Sequence, residues 1–495
     1  MHGIMAFLML FLLRAYLCVY WPLLQDEAYY WAWSWRLDWS YYDHPPMVAV
    51  MIWVGTHLFG HSLLGVRFFF IALAALACVL LLRLLYLRAL YLKASYEQAL
   101  EYLNQSAWIM GTVPLFFLGA NVATPDLVQF FTLSATLYAL CFAIFFKPEK
   151  KRYWLYGGFF LGLSLLSKYT SILIALSVFI YLLCSSVYRF YLRSCWPYLG
   201  CILACVVFFP VLFWNIKHDF ASFKFQFGHA FFAMPHFVLQ YTLELLSAQI
   251  LLMNPIFLSL GVAHVWQSLK CHNKQELDRF LAYLFVLPLL LFIYVSFSKR
   301  IEANWLLPCY VSFLVLAPFF ANPSQSVVRW FKIGVGLSLF VDVLVLLIVL
   351  FFLEWVPVNH EIVTAHLQQE MAQDVLRTWQ SLEPKPYLAA NRYQDASVLD
   401  FYCVNNVECN KFKTNRDAFV FSLNIQSRAN QYDYWPNWQS QINKYPHLLL
   451  VAPVHSPAIA YMQSYFKKSR LIFVLNKKTK AGVSLERALW LFENE

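Results

Sequence analysis

Long apolar stretches separated by short polar connections recur along the chain from its start to about Phe352. A helix needs about 20 apolar residues to cross the hydrocarbon core of a bilayer. On that scale the pattern predicts eleven spans: Ile4–Pro22, Val66–Leu87, Ser106–Ala120, Leu127–Phe146, Tyr153–Leu166, Ser171–Tyr188, Pro197–Trp214, Leu245–Trp266, Phe280–Phe297, Trp305–Phe320 and Ile333–Leu353. The run from Ile4 to Leu24 lacks a small-residue cleavage site and is expected to stay as the first span. Pro46–Gly60 is apolar but short, and is expected to lie along the interface or re-enter. After Leu353 the pattern changes, and Asn, Gln, Asp and Lys become frequent. There His360–Leu382 reads as a helix, and His447–Ala452 and Leu471–Leu475 as buried strands. The expected architecture is an α-helical polytopic membrane protein with a small C-terminal α/β soluble domain. Residues 1–355 form the membrane module, including an external loop over 25–65, and residues 356–495 the soluble domain.

Composition agrees with a bilayer as solvent. Residues with apolar or aromatic side chains make up 61% of the chain and charged ones 13%, about half the charged share of a soluble protein. The net charge of +10 does not point to nucleic acid, because the basic residues fall in short connections between apolar runs. With the N-terminus inside, the inner connections hold Arg88 and Lys93, Lys147 to Arg152, Arg189 and Arg193, Lys270 to Arg279, and Arg329 and Lys332. The opposite connections hold Asp26, Glu27, Asp38, Asp43, Asp126, Asp219 and Glu302. Basic loops stay in the cytoplasm, so the acidic connections and the C-terminal domain are expected outside. In that compartment Cys403 and Cys409 meet oxidising conditions, where a disulfide and two buried thiols are both open readings.

The outward connections also carry the candidate chemistry. The first contains Asp26-Glu27 and Asp43-His44 among many aromatics, which serve equally as interface anchors or as sugar-stacking surfaces. Acids beside a membrane are costly unless they have a cationic partner or a task. Asp126 follows Thr124-Pro125, where helix capping is the plain reading. Lys168 lies between two spans, placed either to snorkel or to neutralise a phosphate. His218, Asp219 and Lys224 share one loop, and an imidazole there with a first-loop carboxylate could hold a divalent cation. Lys299 and Arg300 break the positive-inside pattern, and phosphate binding would explain them. Walker and G-x-G-x-x-G motifs are missing, and none of the inner connections could house a nucleotide sugar. An outer-face enzyme would therefore need a sugar donor carried by a lipid. The rival class is a polytopic transporter or lipid-sugar flippase. It would place charges near the midplane in two related halves, and no internal repeat is found.

The order Asp26-Glu27-Ala28-Tyr29-Tyr30-Trp31, Tyr42-Asp43-His44-Pro45-Pro46, Thr124-Pro125-Asp126, Leu166-Ser167-Lys168-Tyr169-Thr170 and Trp214-Asn215 with His218-Asp219 resembles the bacterial branch of the protein mannosyltransferase-like superfamily. That superfamily has the GT-C fold. It includes aminoarabinose transferases that act on lipid A and dolichyl-phosphate-mannose–protein mannosyltransferases. The resemblance covers roughly Gln25 to Trp305. It implies a polyprenyl-phosphate sugar donor, inversion at the anomeric carbon, and lipid A, another glycan or a protein as acceptor, at a bacterial inner membrane with the site on the periplasmic side. Asp26 corresponds to the catalytic carboxylate, with Glu27 and Asp126 as further candidates. Asp43 corresponds to the acid that holds a divalent metal in some relatives, and His218 to its partner ligand. Lys168 corresponds to the lysine near the donor phosphate, with His44, Lys224, Lys299 and Arg300 as further phosphate contacts. Aminoarabinose transferases would have Glu-Lys before Pro-Pro where this chain has Asp43-His44, a departure that speaks against that particular donor and acceptor.

Overall fold

The computed structural model describes all residues except 1, 18, 120, 231–236, 271–274, 317–323, 359, 407–408, 410–419, 436–445 and 495. Among the described residues five helices are long and apolar enough to cross a membrane: Leu63–Tyr91, Pro125–Phe146, Cys195–Lys217, Glu276–Ser296 and Gln325–Trp355. The helices Leu239–Met253 and Pro255–Lys270 make a sixth crossing if taken together, but they meet at 102°. The continuous span expected over Leu245–Trp266 is thus bent. Asn254 at the break has φ of 66°, and Pro255 has no N–H for a helical bond. The Asn254 side chain donates to Gly334 O and to Ser338 Oγ, both at 2.8 Å, and accepts from Ile256 N at 2.9 Å. The span expected over Ser106–Ala120 is divided as well, into Tyr96–Thr112 and Pro114–Gly119, with Ala120 outside the described residues. Val113 between them is extended, the conformation a following proline imposes.

Other expected spans form shorter apolar helices: His2–Leu17, Arg152–Leu165, Ile172–Cys184 and Leu307–Leu316. The last stops where residues 317–320 leave the described set. The Pro46–Gly60 stretch is the 13-residue helix Met47–Phe59, too short to cross.

The chain divides into two units. The first comprises Met1–Leu17, His44–Val48 and Phe69–Val345. Small residues let its helices approach closely. A Cβ on Gly158 of the helix Arg152–Leu165 would lie 2.0 Å from Gly200 O of the helix Cys195–Lys217, the small-residue contact that stands in for hydrophobic force between helices in lipid. Deep in this unit Arg88 pairs with Asp278 at 2.6 and 2.7 Å, both fully buried.

The second unit comprises Cys18–Asp43, Ala49–Phe68 and Leu346–Glu495. Its centre is a five-stranded sheet of β1 (Tyr387–Ala390), β2 (Val420–Ser422), β3 (His447–Ala452), β4 (Lys468–Lys478) and β5 (Ser484–Glu493), in the order β2-β1-β3-β5-β4. β1 runs parallel to β2 and β3, whereas β5 is antiparallel to β3 and β4. β3 is buried along its whole length, as its unbroken apolar run requires. The helix Glu361–Ser381 lies where the sequence places it, and Cys403 and Cys409 form a disulfide. The helix Gln25–Ser34 packs on Tyr393–Val404, with the rings of Trp31 and Phe401 5.2 Å apart. The first polar connection of the chain is therefore built into the same unit as the sheet.

Candidate active site

The helix Gln25–Ser34 begins with its own carboxylate. Glu27, at its third position, accepts from Leu24 N at 3.1 Å, satisfying an N–H that helix ends leave open. Both Glu27 oxygens also take the Arg67 guanidinium, at 2.8 Å from Nε and 2.5 Å from Nη2. Arg67 donates further to Trp21 O and Pro22 O. Both side chains are sealed from solvent. Glu27, expected beside Asp26 as a catalytic candidate, is thus a buried anchor that fixes the start of the helix. A carboxylate closed in by a bidentate arginine and a backbone N–H has no face left for substrate.

Asp26 is the opposite case. It is exposed, and its side chain makes no hydrogen bond or ion pair among the described residues. Solvent reaches it, yet protein surrounds it closely enough that desolvation is the main influence on its proton. With repulsion from Asp43 and Glu27, and against attraction by Arg428, desolvation pushes the carboxyl up to about 6.

Asp43 is held at both oxygens. Tyr29 OH donates to Oδ2 at 2.7 Å, and Arg428 Nη1 donates to Oδ1 at 2.8 Å. Arg428 Nη2 also donates to Tyr393 OH at 2.8 Å. Tyr29 accepts from Gln431 N at 2.6 Å, and its ring lies 4.4 Å from that of Tyr393. Burial and the neighbouring Asp43 hold the Tyr29 phenol well above its usual range, and burial with the nearby Asp26 pushes that of Tyr393 up to about 12. Both phenols therefore stay protonated donors. The loop that presents Arg428 is itself built: the Arg428 carbonyl accepts from Asn424 Nδ2 at 3.0 Å, and Asp433 accepts from Asn424 at 2.6 Å and from Asn430 N at 2.8 Å. The Arg428 side chain remains 45% exposed, enough to meet a ligand.

The other expected residues lie in the first unit. Lys168 Nζ pairs with Asp126 Oδ1 at 2.7 Å, Asn304 Nδ2 donates to Asp126 Oδ2 at 3.0 Å, and the ammonium lies 5.8 Å from the Trp305 ring centre. Asp126 is thus the counter-ion of Lys168. His218 Nδ1 bonds Trp214 O at 2.8 Å, and its ring stacks on Trp214 at 4.0 Å. Lys224 is exposed and His44 half-buried. Lys299 donates to Gly228 O, and Arg300 pairs with Glu244 at 3.3 Å. The expected metal pair, Asp43 and His218, finds no support in the donor set. No three His, Cys, Asp or Glu side chains among the described residues converge on a cation position, and Asp43 already serves a phenol and a guanidinium.

Arg428 and Tyr393 were not legible as site residues in the sequence. Both come from the C-terminal segment, and nothing in their local pattern marks them. An arginine in an Asn/Ser-rich loop was the only signal available.

The helices and the attached mixed sheet define a polytopic membrane protein with the GT-C architecture. The model is similar over 98% of the chain to the crystal structure of ArnT from Cupriavidus metallidurans bound to undecaprenyl phosphate, with a TM-score of 0.65, 14% identity and 97% of that chain covered. The apo form of the same protein gives 0.64. Residues 43–214 match the family of dolichyl-phosphate-mannose-protein mannosyltransferases. The chain is also 25% identical over 320 residues to the lipid A galacturonosyltransferase RgtD of Rhizobium johnstonii, covering 64% of this chain. That alignment spans 63% of the relative's own length.

Proposed function

We propose that this protein is a membrane glycosyltransferase that moves a sugar from a polyprenyl-phosphate carrier to a hydroxyl or phosphate of a lipid A-type acceptor, with inversion at C1. The observation that carries this reading is Asp26. Of the four carboxylates on the first polar connection, Glu27 and Asp43 are committed to cations and donors and Asp38 accepts from Trp39 N, while Asp26 makes no hydrogen bond or ion pair among the described residues, is reached by solvent and is held at about 6. A base near that value is mostly ionised at neutral pH and accepts a proton more readily than an ordinary carboxylate. The family match and the likeness to a lipid A galacturonosyltransferase support the donor and acceptor classes.

In the proposed step the acceptor oxygen attacks C1 as the bond from C1 to the phosphate oxygen breaks. The electron pair leaves with the polyprenyl phosphate. Where the acceptor is a hydroxyl, its proton goes to Asp26. Where it is a phosphate, no proton moves, and Asp26 instead stabilises the cationic character at C1. Arg428 holds Asp43, and its attraction opposes the upward push on the Asp26 proton. In the membrane unit, Lys168 with Asp126 and Asn304 is the proposed phosphate station, with Lys224, Lys299, Arg300 and His44 as secondary candidates. The divalent cation expected at Asp43 and His218 is given no role. The basic-loop asymmetry supports a bacterial inner-membrane location, with Asp26 and the sheet-bearing unit on the periplasmic side.

Mass spectrometry of lipid A, surface glycans and secreted proteins from cells with and without the chain tests the reading. A sugar-sized mass difference in lipid A supports it. Unchanged products, with altered sugar-lipid distribution across the membrane, would favour a flippase.

A further inference from the structure

The apolar span Leu63–Tyr91 carries two arginines late in its course, and the fold treats them in opposite ways. Arg88 is buried and closed onto Asp278. Arg83 is exposed, lies 5.8 Å from the Tyr138 ring centre, and forms no ion pair among the described residues. It borders a cavity of about 490 Å³ whose lining also includes Tyr138, Phe142, Tyr153 and Lys147. Lys147 Nζ lies 5.9 Å from the Phe142 ring centre and is likewise exposed and without an ion pair among the described residues. Among the described residues the lining therefore holds two cations and no carboxylate, and its other residues are aliphatic or aromatic.

Depth supplies a second constraint. A helix of 29 residues is roughly 44 Å long at 1.5 Å per residue, against a hydrocarbon core of about 30 Å. Centred in the core, it would overhang by about 7 Å at each end. Arg83 lies eight residues before Tyr91, or about 12 Å along the axis, which places it about 5 Å inside the boundary. Lys147 directly follows the span Pro125–Phe146. An arginine at that depth reaches the headgroup layer by snorkelling. An ionisable side chain inside a span calls for a partner. Arg88 has a carboxylate partner in the protein, whereas among the described residues Arg83 meets the Tyr138 side chain and no carboxylate.

We propose that this cavity is a binding site for an anionic membrane phospholipid, with Arg83 and Lys147 on the phosphate and the aromatic and aliphatic walls along the glycerol and first acyl methylenes. Charge complementarity selects an anion over a zwitterion, and the apolar walls select a lipid over a free ion. None of the lining residues is assigned above to sugar transfer, so the proposal stands whether or not that assignment holds.

Native mass spectrometry of the full chain, released from micelles doped with phosphatidylglycerol or phosphatidylcholine, tests the proposal. Wild type should retain phosphatidylglycerol in preference to phosphatidylcholine. Arg83→Gln and Lys147→Gln should each reduce retention by about tenfold, the loss of one charge-assisted contact. Arg83→Lys should keep most of it, and Lys150→Gln, outside the lining, should change nothing. Equal retention of the two lipids by wild type would overturn the proposal without recourse to any variant. So would displacement of the lipid by inorganic phosphate, or its replacement by undecaprenyl phosphate when both lipids are supplied. Retention unchanged in both glutamine variants would also reject it.

Discussion

Replacing Asp26 by Asn separates a catalytic carboxylate from a structural one, because the two roles move stability in opposite directions. Asp26 is raised from an ordinary value near 3.9 to about 6 in the folded protein. Below pH 4 the carboxyl is neutral in both folded and unfolded chains and costs nothing. As pH rises through 6 the folded state must hold a charge that the unfolded chain carries more easily, so stability is lost across that window. For a group sealed from water the loss would be about 3 kcal/mol. Asp26 is exposed, and screening reduces this to about 1 kcal/mol. Asp26→Asn should therefore be more stable than wild type at pH 7.5, by about 2–4 °C in the melting midpoint of a unit this size, with the difference vanishing near pH 4. The same variant should lose turnover by about 10²-fold or more. Melting temperature and sugar transfer measured on one preparation across pH 4–8 give both readings. A variant of wild-type activity would remove Asp26 from the chemistry. A variant less stable than wild type at every pH would show that the carboxylate serves the fold, and the reasoning from its unpaired state would be wrong.

Three further outcomes follow from the same geometry. The acid limb of the pH–rate profile, set near 6 by Asp26, should move to higher pH in Arg428→Gln and to lower pH in Asp43→Asn, because Arg428 pulls the Asp26 proton off and Asp43 holds it on; limbs that stay fixed while activity falls would mark these two residues as purely structural. Asp278→Asn leaves Arg88 buried without its counter-charge and should cost about 3–5 kcal/mol, whereas Arg88→Met with Asp278→Leu should recover most of it; the check is denaturation in detergent, and equal losses in both would refute the ion-pair argument. A membrane-impermeant thiol reagent applied to intact cells should label a cysteine placed at Ser427 and spare Lys150→Cys, as the basic-loop asymmetry requires; labelling of Lys150→Cys would reverse the orientation.

Much of the fold was legible where one physical requirement dominates locally. His447 with the apolar run at 448–452 gave β3 its observed limits, because a strand covered on both faces cannot alternate. The strand read as buried at Leu471–Leu475 is instead part of a longer edge strand, Lys468–Lys478, exposed along most of its length, since it is held by pairing with β5, which no local pattern records. The break at Asn254-Pro255 carried a recognisable signal that hydropathy averaging overrode. In the site, Asp26 and Asp43 stood out because both fall on one short connection. Arg428 did not, because it lies 385 residues beyond Asp43 and depends on an Asn-rich loop held by side-chain bonds. The pairing of Glu27 was hidden for a similar reason: its partner Arg67 sits inside an apolar run and reads locally as a snorkelling cation.

In the proposed reaction the sugar arrives on a lipid phosphate and is transferred by chemistry at Asp26. Purified protein in proteoliposomes, given lipid A and either an undecaprenyl-phosphate-linked uronic acid or the corresponding nucleotide sugar, tests it directly by mass spectrometry of the acceptor. Glycosylated lipid A with inverted anomeric configuration is expected from the lipid-linked donor alone, with its loss in Asp26→Asn. Transfer from the nucleotide sugar in the absence of any polyprenyl lipid would contradict it.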